Sequence, residues 1–137
     1  MVPERSTKPG GQANLLEADL CQKIIGAAIE VHRHLGPGLL ESIYEAALAF
    51  ELTHLGLKVE RQKSVAIDYK GLRFDEGFRI DLFVAERIVM ELKCVESILP
   101  IHEAQILSYL QLTKVRIGLL INFKAPALRH GIKRFVI

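Results

Sequence analysis

The chain has no tryptophan, two cysteines and two methionines among its 137 residues. Cys21 and Cys94 stand alone, without the close pairing of a zinc site or a disulfide scaffold. Both fall in apolar patterns, which favours buried thiols in a reducing cytoplasm over a disulfide. No apolar run approaches the roughly 20 residues of a membrane helix, so no membrane partner is expected. The N-terminus shows no signal-peptide apolar core. A phosphate-binding glycine loop is missing, because Gly36-Pro37-Gly38 lacks the surrounding pattern. No serine or cysteine nucleophile stands out. Attention therefore turns to carboxylates and lysine.

Acid is missing from one end of the chain. Residues 104–137 carry Lys114, Arg116, Lys124, Arg129, Lys133 and Arg134 and no Asp or Glu. Residues 1–103 hold the other 12 Lys and Arg against 16 Asp and Glu, a balance of −4 within an overall +2. A basic end beside an acidic cluster suits a polyanionic ligand held near bound metal. Ordinary solvated surface is the plainer reading. No basic tail typical of non-specific DNA binders is present.

Half of the residues are hydrophobic and a quarter are charged, as in a globular chain with a real core. Residues 1–13 carry Pro3, Pro9, Gly10 and Gly11 and read as a disordered leader. Residues 14–137 read as a single domain. Asn14-Leu-Leu-Glu17 resembles a helix start. Leu20, Ile24, Ala27, Ala28, Val31 and Leu35 then recur at helical spacing up to the Gly36-Pro37-Gly38 breaker. His32 and His34, near that helix end, are expected to face solvent. A second helix is expected from about Leu39 to Leu55, with Leu40, Ile43, Ala47, Leu48 and Phe50 inward and Gly56 at its end. Strands follow over 57–62, 65–69, from Leu72 with a bulge near Gly77, over 78–84 and over 87–94. Pro100 suits the first turn of a third helix running to about Thr113. Val115–Phe123 is apolar enough for a strand buried on both faces. Ile132–Ile137 reads as a closing edge strand, and its exposed edge would allow a homodimer. The order favours an α/β (α+β) fold, a mixed sheet flanked by helices.

The densest chemistry lies in Arg79-Ile-Asp-Leu-Phe-Val-Ala-Glu-Arg-Ile-Val-Met-Glu-Leu-Lys93. If Ala85 to Arg87 form the turn, Asp81 sits opposite Glu91, their Cβ atoms roughly 4.5–5.5 Å apart. Lys93, two residues on, shares the face of Glu91. Like charges ~4 Å apart repel by about 4 kcal/mol at an effective dielectric near 20. Lys93 can neutralise one acid, and Mg²⁺ or Mn²⁺ would neutralise both. A solvated surface ion pair is the other reading. Glu41, Tyr44 and Glu45 share one helix face at i, i+3 and i+4, and Gln105 and Tyr109 share another, with His102 on the same side. Tyr44 reads as a packing residue, Gly38 as a backbone requirement and Glu45 as solvated or as a spare acid at the site.

These residues resemble a known family. Gly38-x-x-Glu41-x-x-Tyr44 is similar to the motif of the GxxExxY proteins, within the PD-(D/E)XK nuclease superfamily, over about residues 15–137. Asp81 with Glu91-x-Lys93 resembles the superfamily's core signature, with Ile80 in place of proline. Gln105-x-x-x-Tyr109 is similar to an element of exonuclease domains in bacterial recombination helicase–nucleases. The resemblance implies a restriction-endonuclease-like fold and a cytoplasmic, Mg²⁺- or Mn²⁺-dependent nuclease acting on nucleic acid, DNA before RNA. It also implies that Asp81, Glu91 and Glu41 bind metal and that Lys93 acts on the water or the phosphate. Gln105 and Tyr109 would position Lys93 or the substrate. A module on the same fold that binds nucleic acid without cutting it, or that acts only with a partner, is the alternative.

Overall fold

Segments that are apolar at nearly every position need cover on two faces. The computed structural model, which describes residues 12–137, provides that cover for two such segments. Five strands lie side by side in chain order: β1 (Val59–Tyr69), β2 (Leu72–Val84), β3 (Ile88–Lys93), β4 (Ile117–Asn122) and β5 (Ile132–Val136). All neighbours are antiparallel except β3 and β4, which run parallel and are joined through helix α3 (Pro100–Thr113). Helices α1 (Gln12–Leu35) and α2 (Glu41–His54) precede the sheet. A mixed sheet flanked by helices is the expected architecture.

Two apolar layers hold it. On one face, Ile24 and Val31 of α1 and Leu48 and Leu52 of α2 meet Leu82, Met90, Leu92 and Leu119. On the other, Ile106 and Leu110 of α3 meet Val89, Leu120 and Phe135. β3 and β4 feed both layers, and every residue of β4 is buried. Each such leucine or isoleucine contributes roughly 1.5–3 kcal/mol. The strand ending in Glu91-Leu-Lys93 is therefore anchored at the centre of the molecule.

Turn chemistry explains the sheet's first half. Lys70 and Gly71, with φ of 51° and 89°, join Tyr69 to its partner Leu72. The two expected strands over 57–69 are one, β1, bent at Gln62, whose φ is 50°. The bulge expected near Gly77 is present. Val65 pairs with Phe78 but Ile67 pairs with Phe74, so Asp75–Gly77 face Ala66 alone. A side chain at position 77 would collide with Ile67. Pro100 opens α3, and β5 is an edge strand, both as expected.

Other expectations need correction. α1 begins at Gln12, so Asn14 lies inside the helix rather than at its start. Residues 1–11 of the expected leader lie outside the described residues. The inward stripe of α2 has a different phase. Tyr44, Glu45, Leu48, Ala49 and Leu52 are buried, whereas Leu40 and Phe50 are 72% and 60% exposed. Tyr44 sets that phase. Its hydroxyl donates to the Gly36 carbonyl and accepts from the Leu39 N–H, and its ring stacks on Phe123 at 4.5 Å. His32 is not simply solvated, because its Nε2 bonds the Ala125 carbonyl at 2.8 Å.

Gly118 lets α3 lie close on β4: a Cβ there would come within 2.9 Å of Ile106. Gly118→Val should overpack this contact and lower stability by about 1–3 kcal/mol. A urea midpoint unchanged from wild type would show that the layer has slack.

Candidate active site

Hairpin geometry brings the two carboxylates together. Ala85 and Glu86 adopt φ of 54° and 55°, and the Arg87 N–H closes the turn on the Val84 carbonyl at 3.0 Å. Val84 then pairs with Ile88, and Leu82 with Met90. One further step along this register sets Asp81 opposite Glu91. There the backbone ladder gives way to side-chain bonds. The Asp81 N–H donates to Glu91 Oε2 at 3.2 Å, and the Leu92 N–H donates to Asp81 Oδ2 at 2.8 Å. Each carboxylate thus takes a backbone donor of the opposite strand.

The electrostatics follow from burial. Glu91 is 5% exposed. Desolvation first, and the Asp81 charge second, push its carboxyl up to about 8, against the pull of the Asp81 N–H and Lys93. Burial also raises Asp81, the Glu45 charge adds to this, and the Leu92 N–H, Gln62 and Lys93 oppose it. Glu41, the first residue of α2, is raised by desolvation and then by Asp81. Burial raises the Tyr109 hydroxyl, with the charges of Glu91 and Asp81 adding to the shift. Glu41, Asp81, Glu91, Lys93 and Tyr109, from two helices and one hairpin, therefore feel one another. Lys93 is half-buried and forms no ion pair within 4 Å among the described residues, so it does not directly neutralise either acid.

Gln105 is not drawn into this group. It is exposed on α3 and makes no hydrogen bond to the cluster among the described residues. Tyr109 lies flat on Phe78, ring centroids 4.2 Å apart and planes 6° from parallel. His102 serves its own helix: its Nδ1 accepts the Leu99 N–H at 3.0 Å.

Two further residues border the cluster. Glu45 is not solvated but 6% exposed, as the reading of it as a spare acid at the site expects. Arg61 Nε donates to it at 3.2 Å and Gln62 Nε2 at 2.6 Å, which offsets the cost of burying its charge. Gln62 Nε2 also reaches Asp81 Oδ1 at 3.3 Å, bridging the two acids. Glu45 had a signal, since it lies four residues after Glu41 on the same helical face. Gln62 had none, because its role depends on a left-handed backbone uncommon for glutamine.

The donor set suits a hard divalent cation. Asp81 Oδ1 and Glu91 Oε1 are left free of backbone bonds, and both are carboxylate oxygens of raised pKa. Among the described residues no three acidic, histidine or cysteine side chains are grouped closely enough to hold a metal ion together. Asp81 and Glu91 come together as a pair, and Glu41 reaches them through its charge.

Two outcomes follow. Between its ordinary pKa of about 4.3 and its folded value, Glu91 binds a proton in the folded state that the unfolded chain releases. Stability in chelator should therefore fall as pH rises from about 5 to about 8, by up to ~1.4 kcal/mol per pH unit. Thermal melts should show the fall in wild type and a shallower one in Glu91→Gln; equal slopes would refute the burial argument. Tyr44→Phe should lose about 1–3 kcal/mol of stability, because the Gly36 and Leu39 groups lose their partner. An unchanged denaturant midpoint would remove Tyr44 from that structural role.

A sequence model of the PD-(D/E)XK nuclease superfamily matches residues 18–135, a span that includes Glu41, Asp81, Glu91, Lys93 and Tyr109. No curated protein and no solved structure matches the chain. The match covers most of the chain, and the mixed sheet between helices agrees with a restriction-endonuclease-like fold. This chain belongs to the PD-(D/E)XK nuclease superfamily.

Proposed function

We propose that the protein is a metal-dependent nuclease that hydrolyses phosphodiester bonds of nucleic acid, DNA before RNA, at the β2–β3 hairpin. One observation carries this reading. Asp81 and Glu91 are held side by side, cross-bonded to each other's strands, with Glu91 pushed to about 8. With both acids ionised such a pair destabilises the fold, and either a proton on Glu91 or a bound cation relieves it.

Asp81 and Glu91 would hold Mg²⁺ or Mn²⁺, and the bound ion would supply an acidified water and neutralise charge on the phosphate. Lys93 shares a face with Glu91. With no carboxylate bonded to it among the described residues, its ammonium is available to donate to a phosphate oxygen or to hold the attacking water. Glu41 adds negative charge at the mouth of the site, supporting a role in binding the cation directly or through water. Tyr109 borders the cluster from α3. Gln105 is exposed on the same helix, where it can meet the substrate backbone more readily than Lys93. The segment Gly38-x-x-Glu41-x-x-Tyr44 supports placement with the GxxExxY proteins. Cys21 and Cys94 as free thiols support a cytoplasmic setting.

The acid-free end of the chain supports a polyanionic substrate. Lys124, His130 and Lys133 border a cavity of about 400 Å³ beyond the end of β4, together with Glu96; Lys124 pairs with Glu96 and Lys133 with Glu103, so a polyanion would compete with these carboxylates for the lysines. Asn122, which also borders the cavity, pairs with Lys93 across the parallel strands. Basic groups thus lie beside the strand end that bears the candidate lysine.

The test is cleavage of labelled single- and double-stranded DNA and RNA in Mg²⁺, Mn²⁺ or EDTA. Wild type should cut only with metal. Asp81→Ala and Lys93→Ala should each lose about 100-fold or more while keeping a cooperative melt. Cutting in EDTA, or undiminished cutting by both variants, would refute the site. Salt-sensitive binding with no cutting under any condition would favour the silent binding module.

A further inference from the structure

The β1–β2 hairpin runs well beyond the rest of the sheet. β3 pairs with β2 only over Leu82–Val84, so residues 65–78 form an arm with no strand beyond them among the described residues. The two faces of this arm differ sharply. Tyr69 pairs with Leu72, Ile67 with Phe74 and Val65 with Phe78. Paired residues share a face, and so do Val65, Ile67 and Tyr69 along β1. All six therefore lie on one side. The bulge at Asp75–Gly77 makes this possible, because it returns Phe78 to the face that Phe74 occupies. The opposite side carries Ser64, Asp68 and Arg73, with ion pairs Arg73–Asp75 and Arg79–Glu76.

The apolar side is open and also carries positive charge. Tyr69, Leu72 and Phe74 are 59%, 58% and 49% exposed. Lys70 Nζ lies 5.4 Å from the Tyr69 ring centroid and forms no ion pair among the described residues. Lys63, two residues before Val65 on the same face, lies 5.9 Å from the Phe83 ring centroid and pairs with Glu60 at 3.2 Å, so it can turn to a phosphate only by exchanging that partner. No carboxylate belongs to the six paired residues. Inward, the strip runs to Phe78, stacked on Tyr109 and three residues before Asp81. An aromatic track with flanking lysines thus leads from the hairpin tip to the candidate site.

We propose that this arm is a stacking platform for single-stranded nucleic acid, with bases laid on Tyr69 and Phe74 and the backbone guided by Lys70 and Lys63 towards Asp81 and Glu91. The proposal rests on the nuclease reading above and names its substrate class. Aromatic faces capture only unstacked bases, whereas a duplex keeps its bases stacked inside and presents phosphates and groove edges. Neighbouring pairs on the strip step about 7 Å along the strands, a spacing suited to an extended strand with splayed bases. Flanking cations add attraction for the backbone.

The experiment is fluorescence anisotropy with labelled oligonucleotides in EDTA, where metal-dependent cleavage is off. It compares wild type with Tyr69→Ala/Phe74→Ala and with Tyr69→Phe/Phe74→Tyr. Wild type should bind single strands more tightly than the matched duplex. The alanine pair should weaken single-strand binding at least about 10-fold and duplex binding by less than about 3-fold. The aromatic exchange should restore single-strand affinity. Both residues are surface-exposed, and matching thermal melts would show that the fold is kept. DNA and RNA arms report which strand is preferred. Equal losses on single strand and duplex, no loss, or a preference for duplex would overturn the platform. A dimer-to-monomer change by light scattering, with single-strand affinity intact, would reassign the strip to self-association and likewise overturn it. If wild type binds single strands as described but no metal supports cutting, the platform stands and the nuclease reading falls. If it cuts duplex and the alanine pair cuts equally well, the reverse holds.

Discussion

The cross-bonding of Asp81 and Glu91 to the opposite strands is the constraint around which the site is organised. Strands β2 and β3 part at this point, and two carboxylates take the place of ladder bonds. Buried N–H groups need acceptors, and buried carboxylates need donors or a cation. Each acid satisfies one donor of the facing strand, and the second oxygen of Asp81 takes a long bond from Gln62. The arrangement is stable enough to fold and leaves the pair short of positive charge.

The surroundings preserve that shortage. β3 is held between two apolar layers, so Glu91 cannot turn to water without moving a central strand. Gln62, bent into a left-handed conformation, shares its amide between Glu45 and Asp81. Arg61 supports Glu45 from the same strand. Glu45 and Asp81 are thereby tied to β1, while Lys93 has no carboxylate bond among the described residues. Neutralising Glu45 with an arginine and leaving Lys93 unpaired separates a structural ion pair from a candidate catalytic cation.

Local rules carry far in this chain. The three-residue turn at Ala85–Arg87, together with the period of two along strands, is enough to place Asp81 opposite Glu91 and Lys93 beside it. Lys70-Gly71, the bulge at Gly77 and Pro100 are legible for the same reason, because turn and bulge chemistry is written in neighbouring residues. The phase of α2 is not legible. Leu40, Ile43 and Phe50 form as plausible an inward stripe as Tyr44, Leu48 and Leu52. The choice depends on Phe123 and on the carbonyl of Gly36, neither of which belongs to the helix.

By itself, then, the amino-acid order determined the register of the β2–β3 hairpin and the identity of its paired acids, since each depends on residues within a few positions of one another. The tertiary structure alone decided which acids are buried, which face of α2 looks inward, and that Gln62 bridges two carboxylates while Gln105 stands apart. It also decided that Tyr69, Phe74, Phe78 and Tyr109 share one side of the molecule. Those outcomes depend on packing between elements far apart in sequence. There the free energy of burying a whole face outweighs the local preferences that a sequence pattern can display.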